Sequence, residues 1–118
     1  MEPLTKDELL DVLIEAGWPT ELLRKAFMIA WMESSFDPTK TKDYKGEETY
    51  GLFQITTSNH IEKLEALGED WKTLALDPVT NAKIGLQVYK ERVGWNEAGA
   101  ASGDHELAQR DPWLAWTS

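Results

Sequence analysis

Glu33 breaks the pattern of its own neighbourhood. Counting back three, four and seven residues gives Ala30, Ile29 and Ala26, and Leu22 lies one turn further along the same stripe. On a helix the carboxylate therefore closes an apolar face. Three influences then push its pKa upward. Burial disfavours the charged form, the C-terminal end of a helix carries partial negative charge, and the sequence shows little positive charge nearby. A carboxylic acid that keeps its proton near neutral pH serves as a general acid. A glutamate at a helix end also suits a solvent-facing side chain, or one bonded to backbone amides, and periodicity alone does not choose.

Other constellations are weaker. The run from Asp37 to Glu48 has acids at the first and twelfth places of a calcium loop, but lacks an acid or amide at the third and fifth places and glycine at the sixth. Asp104-His105-Glu106 could suggest a metal, but His60 is the only other histidine, so a solvated loop is expected. No serine has a credible His/Asp set. No metal and no cofactor is expected.

The elements that must position Glu33 follow from caps and periodicity. Thr5-Lys6-Asp7-Glu8 is a capping box. Leu9, Leu10, Leu13, Ile14 and Gly17 then describe a helix with one apolar face and a glycine stop. Thr20 is the expected N-cap of the helix carrying Glu33, which runs to about Ser34. Residues 36–49 read as a loop, and Tyr50 to Thr56 as a short strand or a turn into a helix. Ser58–Leu67 reads as a short helix stopped by Gly68. Asp77-Pro78 starts a longer one, with Val79, Ala82, Leu86, Tyr89 and Val93 at helical spacing. The tail from Asn96 to Ser118 is expected to wrap around the helices. The fold class is mainly α, a small helical domain with at most a minor β-hairpin, and residues 1–118 are expected to form one domain.

Composition narrows the function. The chain has 118 residues and no cysteine, which removes disulfide scaffolds, thiolate zinc sites and cysteine nucleophiles. Twelve basic against 21 acidic residues leave a net charge of −9. Nucleic acid and anionic membranes are therefore not expected as partners. No apolar run is long enough to span a bilayer, and Met1 to Glu8 shows no secretory signal. Six tryptophans suit either a core or a stacking surface for sugar rings.

Three blocks, taken together, are specific: Glu33-Ser34-Ser35-Phe36-Asp37-Pro38; Tyr50-Gly51-Leu52-Phe53-Gln54-Ile55; and Asp77-Pro78-Val79-Thr80-Asn81 through Gly85 to Tyr89. In order and spacing they resemble the lysozyme superfamily, in particular soluble lytic transglycosylases and lysozyme-like domains of phage proteins. Gly94-Trp95 and Pro112-Trp113 look like the phage-type domains, less specifically.

The resemblance implies a lysozyme-like fold and a site on peptidoglycan glycan strands. Glu33 matches the acid that protonates the oxygen between N-acetylmuramic acid and N-acetylglucosamine. Thr49, Tyr50, Gln54 and Trp113 are the implied substrate-binding residues, with Gln54 matching the family glutamine beside the cleft. Ser34 is expected to cap or orient the helix end, Asn81 to bond backbone near that helix, and Gly51 to supply a backbone approach to sugar or a positive φ. The familiar second carboxylate is missing, because Thr49 and Thr56 stand at the two positions where relatives carry aspartate. Either Asp43, Glu47 or Glu48 serves as a base that activates water, or the muramoyl 6-hydroxyl attacks internally and gives a 1,6-anhydro product. The acidic loop and the phage-like tail favour hydrolysis, as does the missing Ala-Tyr-Asn-Ala-Gly segment of bacterial transglycosylases. A glycan-binding module that no longer cleaves, and a helical interaction domain, are the competing classes. A phage product, monomeric or carried on a particle, fits the missing signal.

Overall fold

The computed structural model describes residues 2–93, with Tyr44 and Val93 described by their main chain only. Trp113, the two Gly-Trp and Pro-Trp pairs, Asp104 to Glu106 and the expected wrapping tail lie outside the described residues.

Helix α1 spans Lys6–Ala16. The Thr5 hydroxyl accepts from the Glu8 amide at 3.1 Å and the Glu8 carboxylate accepts from the Thr5 amide at 2.8 Å, so the capping box forms as expected. Gly17 ends the helix at φ +91°. The apolar face is narrower than expected. Leu9, Leu13 and Ala16 are buried, but Ile14 is 58% exposed. The buried stripe is i, i+4, i+7, and Ile14 falls beside it.

Helix α2 spans Leu23–Ser34 and begins differently from expectation. Pro19, with φ fixed at −63°, opens a 3-10 turn over Thr20–Leu22, and Thr20 makes no N-cap bond to α2. The predicted stripe is buried along its length, from Leu22 through Ala26 and Ile29 to Ala30. After Ser34 the chain reverses through two residues in the left-handed region, Ser35 at φ +53° and Phe36 at φ +67°.

The segment expected to be a loop forms a sheet. Strands β1 (Thr41–Tyr44), β2 (Glu47–Tyr50) and β3 (Ile55–Thr56) are antiparallel in the order β1-β2-β3. Tyr44 pairs with Glu47, so Lys45 and Gly46 form a two-residue connection, with φ +54° and +83°. Positive φ at both central residues matches the right-handed twist of the strands. The hairpin is built by turn chemistry rather than by an apolar face, and so periodicity misses it.

Helix α3 (Thr57–Glu65) follows β3 directly, and a short helix α4 (Trp71–Leu74), not expected from sequence, precedes α5 (Pro78–Val93). The Asp77 carboxylate accepts from the Thr80 amide at 3.0 Å, which caps α5 as expected. The core gathers around three rings. Trp18 stacks on Phe53 at 5.4 Å between centroids and meets Tyr89 at 5.8 Å, and its indole N–H donates to the Ala82 carbonyl at 2.9 Å. Phe53 fits because Gly85 has no side chain: a Cβ there would lie 2.9 Å from the ring. Trp18 is thus a core residue, while Trp31 is 58% exposed.

His60 interrupts α3 with φ −135°, and its Nδ1 is buried without a hydrogen-bond partner among the described residues. Burial, then the charges of Lys63 and Arg92, hold the imidazole below its usual 6.5, with Glu91 and Glu62 pulling the other way. An unfolded chain binds that proton more readily than the folded one, so stability is lost as pH falls below about 6.5. Urea midpoints at pH 7.5 and 5.5 test this: the drop between them should shrink in His60→Gln, and an unchanged drop would contradict the assignment.

Candidate active site

Glu33 sits in the last turn of α2, half-buried, where the buried stripe of that helix runs out. Two tethers hold this helix end against the Gly51–Gln54 turn between β2 and β3. The Ser34 hydroxyl, buried, lies 3.0 Å from the Ala30 carbonyl and 2.7 Å from the Leu52 carbonyl. Ser34 thus orients the helix end, the role expected for it. The second tether is Lys40, whose ammonium donates to the main-chain carbonyl of Glu33 at 3.1 Å. Sequence reading finds little positive charge near Glu33; the fold brings this lysine back to it. The signal is absent from helical spacing because Asp37-Pro38 and the reversal at Ser35 lie between the two residues.

The turn itself is braced from three sides. Gln54 is 7% exposed with φ +50°. Its amide donates to the carbonyls of Lys40 and Gly51, both at 2.9 Å, and its Oε1 accepts from the Thr49 hydroxyl at 2.7 Å. Both donors are therefore committed inside the protein, leaving acceptor capacity on Oε1 for anything else. Gly51 has φ +79°, and a Cβ on it would lie 2.8 Å from the Ala75 carbonyl oxygen. The close approach it permits is to α5 and the α4–α5 connection. Asn81, fully buried, accepts from the Phe53 amide at 2.8 Å and donates to the carbonyls of Tyr50 (2.9 Å) and Ala75 (2.8 Å). It bonds main chain near the active helix, as expected, and the main chain it holds is the turn that Ser34 ties to the end of α2.

The three acids named as second carboxylates all lie on the hairpin. Asp43 and Glu48 face each other across β1 and β2. The Asp43 carboxylate accepts from the Gly46 amide at 3.1 Å, inside the hairpin turn. Glu47 takes the Ser58 hydroxyl, and Glu48 takes the Tyr50 hydroxyl at 2.8 Å, with Lys72 at 3.9 Å. Tyr50 is buried, its ring edge-on to Trp71 at 5.5 Å. Burial first, then the hydrogen bond to Glu48 and the charges of Glu48 and Asp43, push its phenol up to about 12, so it stays protonated. The apolar groove lined by Lys6, Phe27, Met28, Trp31, Met32 and Phe36 does not include Glu33.

A protonatable group at a helix end, backed by an apolar stripe and clamped to a braced turn beside an acidic hairpin, suits proton transfer to a bound polymer. The family profile described as "Transglycosylase SLT domain" matches residues 14–105. The chain belongs to this family. The matched span of the SLT domain contains α2, the sheet and α5, and with them all three motif blocks. Membership supports a peptidoglycan-cleaving activity of the lytic-transglycosylase or lysozyme-like kind, with peptidoglycan as substrate. A search of curated proteins finds no match to this SLT domain.

Proposed function

We propose that this SLT domain, read as one unit over residues 1–118, cleaves the β-1,4 bond between N-acetylmuramic acid and N-acetylglucosamine by internal attack. Glu33 gives its proton to the bridging oxygen as the bond to C1 of muramic acid breaks. The muramoyl 6-hydroxyl then bonds to C1, and the Glu33 carboxylate takes the hydroxyl proton. One residue acts first as acid and then as base, no water is consumed, and the product carries a 1,6-anhydro ring.

The observation that carries this reading is Thr49. Of the two positions where the resemblance implies a second carboxylate, Thr56 is one and Thr49 the other, and the Thr49 hydroxyl is committed to Gln54 at 2.7 Å. Internal attack needs no second carboxylate, and the match to a transglycosylase family points the same way. The sequence features that favour hydrolysis, above all the acidic hairpin, keep one structural argument: Asp43 and Glu48 face each other, and a carboxylate roughly 6.5–9.5 Å from the acid would activate water.

Mass spectrometry of muropeptides after digestion separates the routes. Fragments lighter by one water than the hydrolytic ones are expected. Fragments at the hydrolytic mass would transfer the assignment to muramidase and give the hairpin acids a catalytic role.

A further inference from the structure

We propose that Lys40 is a positioning residue for Glu33, an inference that rests on Glu33 being the acid. The lysine grips both sides of the site. Its ammonium reaches the Glu33 carbonyl at 3.1 Å, while its own carbonyl accepts from the Gly51 main-chain amide at 2.7 Å and the Gln54 side-chain Nε2 at 2.9 Å. The main chain of Lys40 is thereby fixed to the turn, and its side chain reaches back to the helix end.

The Glu33 carbonyl belongs to the last turn of α2, where carbonyls lack helical partners and the helix carries partial negative charge. A cationic donor is the best group to place there. The α2 helix provides none, since its last turn has no basic residue. Cap and reversal work together. The Ser35 amide returns to the Trp31 carbonyl at 2.9 Å and the Asp37 amide to the Ser34 carbonyl at 3.0 Å, and Lys40 binds the carbonyl between them in the chain. Fixing the Glu33 peptide fixes the direction in which its side chain leaves the helix. A carboxyl group that must meet a glycosidic oxygen, and later a hydroxyl, within hydrogen-bond distance depends on that direction.

The test uses Lys40→Met, which keeps the stem and the main-chain bonds but removes the ammonium, and Lys40→Arg, which keeps a cationic donor. Three readouts are needed: kcat and KM on soluble glycan strands, the carbonyl 13C shift of selectively labelled Glu33, and the thermal midpoint. Lys40→Met should lower kcat about 10-fold with KM within about 2-fold, and move the Glu33 carbonyl resonance upfield. The midpoint should stay within about 3 °C, and Lys40→Arg should restore both kcat and resonance. An unmoved resonance, or kcat within about 2-fold of the parent, would overturn the proposal. Glu33→Gln run alongside keeps the two claims apart: if it abolishes cleavage and Lys40→Met does not, only the role of Lys40 fails. If it leaves cleavage intact, the acid assignment fails and takes this proposal with it.

Discussion

Glu33→Gln should slow the clearing of peptidoglycan suspensions by about 10²–10⁴-fold, the range spanned by a positioned proton donor. The carboxamide matches the carboxyl group in size and keeps hydrogen-bonding capacity, but it has no acidic proton to give and no basic oxygen with which to take one back. If one residue performs both steps, both are lost together. The loss should therefore appear in kcat with little change in KM. The Ala26, Ile29 and Ala30 packing and the Ser34 tether do not involve the replaced atoms, so the thermal midpoint should move by only a few degrees. Undiminished clearing by a folded variant would remove Glu33 from the chemistry.

Asn81→Ala should be the most destabilising of the single changes considered. The side chain is 0% exposed and makes three hydrogen bonds, all to main-chain groups at 2.8–2.9 Å. Truncation leaves the Phe53 amide and the carbonyls of Tyr50 and Ala75 without this partner. Each buried group left unsatisfied costs about 1–3 kcal/mol, so a loss of about 3 kcal/mol or more is expected. Against a total of roughly 5–15 kcal/mol, that is a large share. The midpoint should fall by about 10 °C or more, followed by circular dichroism. Asn81→Asp should not rescue it. An aspartate can still accept from Phe53 but turns an oxygen toward two carbonyl oxygens. A change below about 1 kcal/mol in either variant would mean that the Tyr50–Phe53 turn holds itself.

These two residues also show what can be read from a sequence and what cannot. The stripe beneath Glu33 is local, four residues at helical spacing, and it appears in the structure as expected. The caps at Thr5 and Asp77 are local too, and both form. The partners of Asn81 lie 6 to 31 residues away, and no spacing rule connects them. Its residue type and motif position mark it as a brace, but not what it braces. The hairpin was hidden for another reason. Thr41 to Glu48 is polar on both faces, so its alternation carries no signal, and Lys45-Gly46 is legible as a turn only once both φ values are known to be positive. The Lys40 bond to the Glu33 carbonyl is illegible because it depends on a reversal at Ser35 and Phe36, neither of them glycine. Ile14 failed the other way. Its spacing fits an apolar face, but only the neighbouring stripe of Leu9, Leu13 and Ala16 is buried.

Family and fold thus follow from residues with local signatures, while the turn that completes the site depends on contacts that form only on folding. Every step of the proposed cleavage requires the side chain at position 33 to meet the bond that breaks. A crystal structure of the E33Q variant with a peptidoglycan oligosaccharide across the site tests it most directly. The position-33 carboxamide is expected within about 3.2 Å of the oxygen joining N-acetylmuramic acid to N-acetylglucosamine. A sugar chain bound elsewhere, or one whose linkage oxygens all lie beyond hydrogen-bond reach of that side chain, would contradict it.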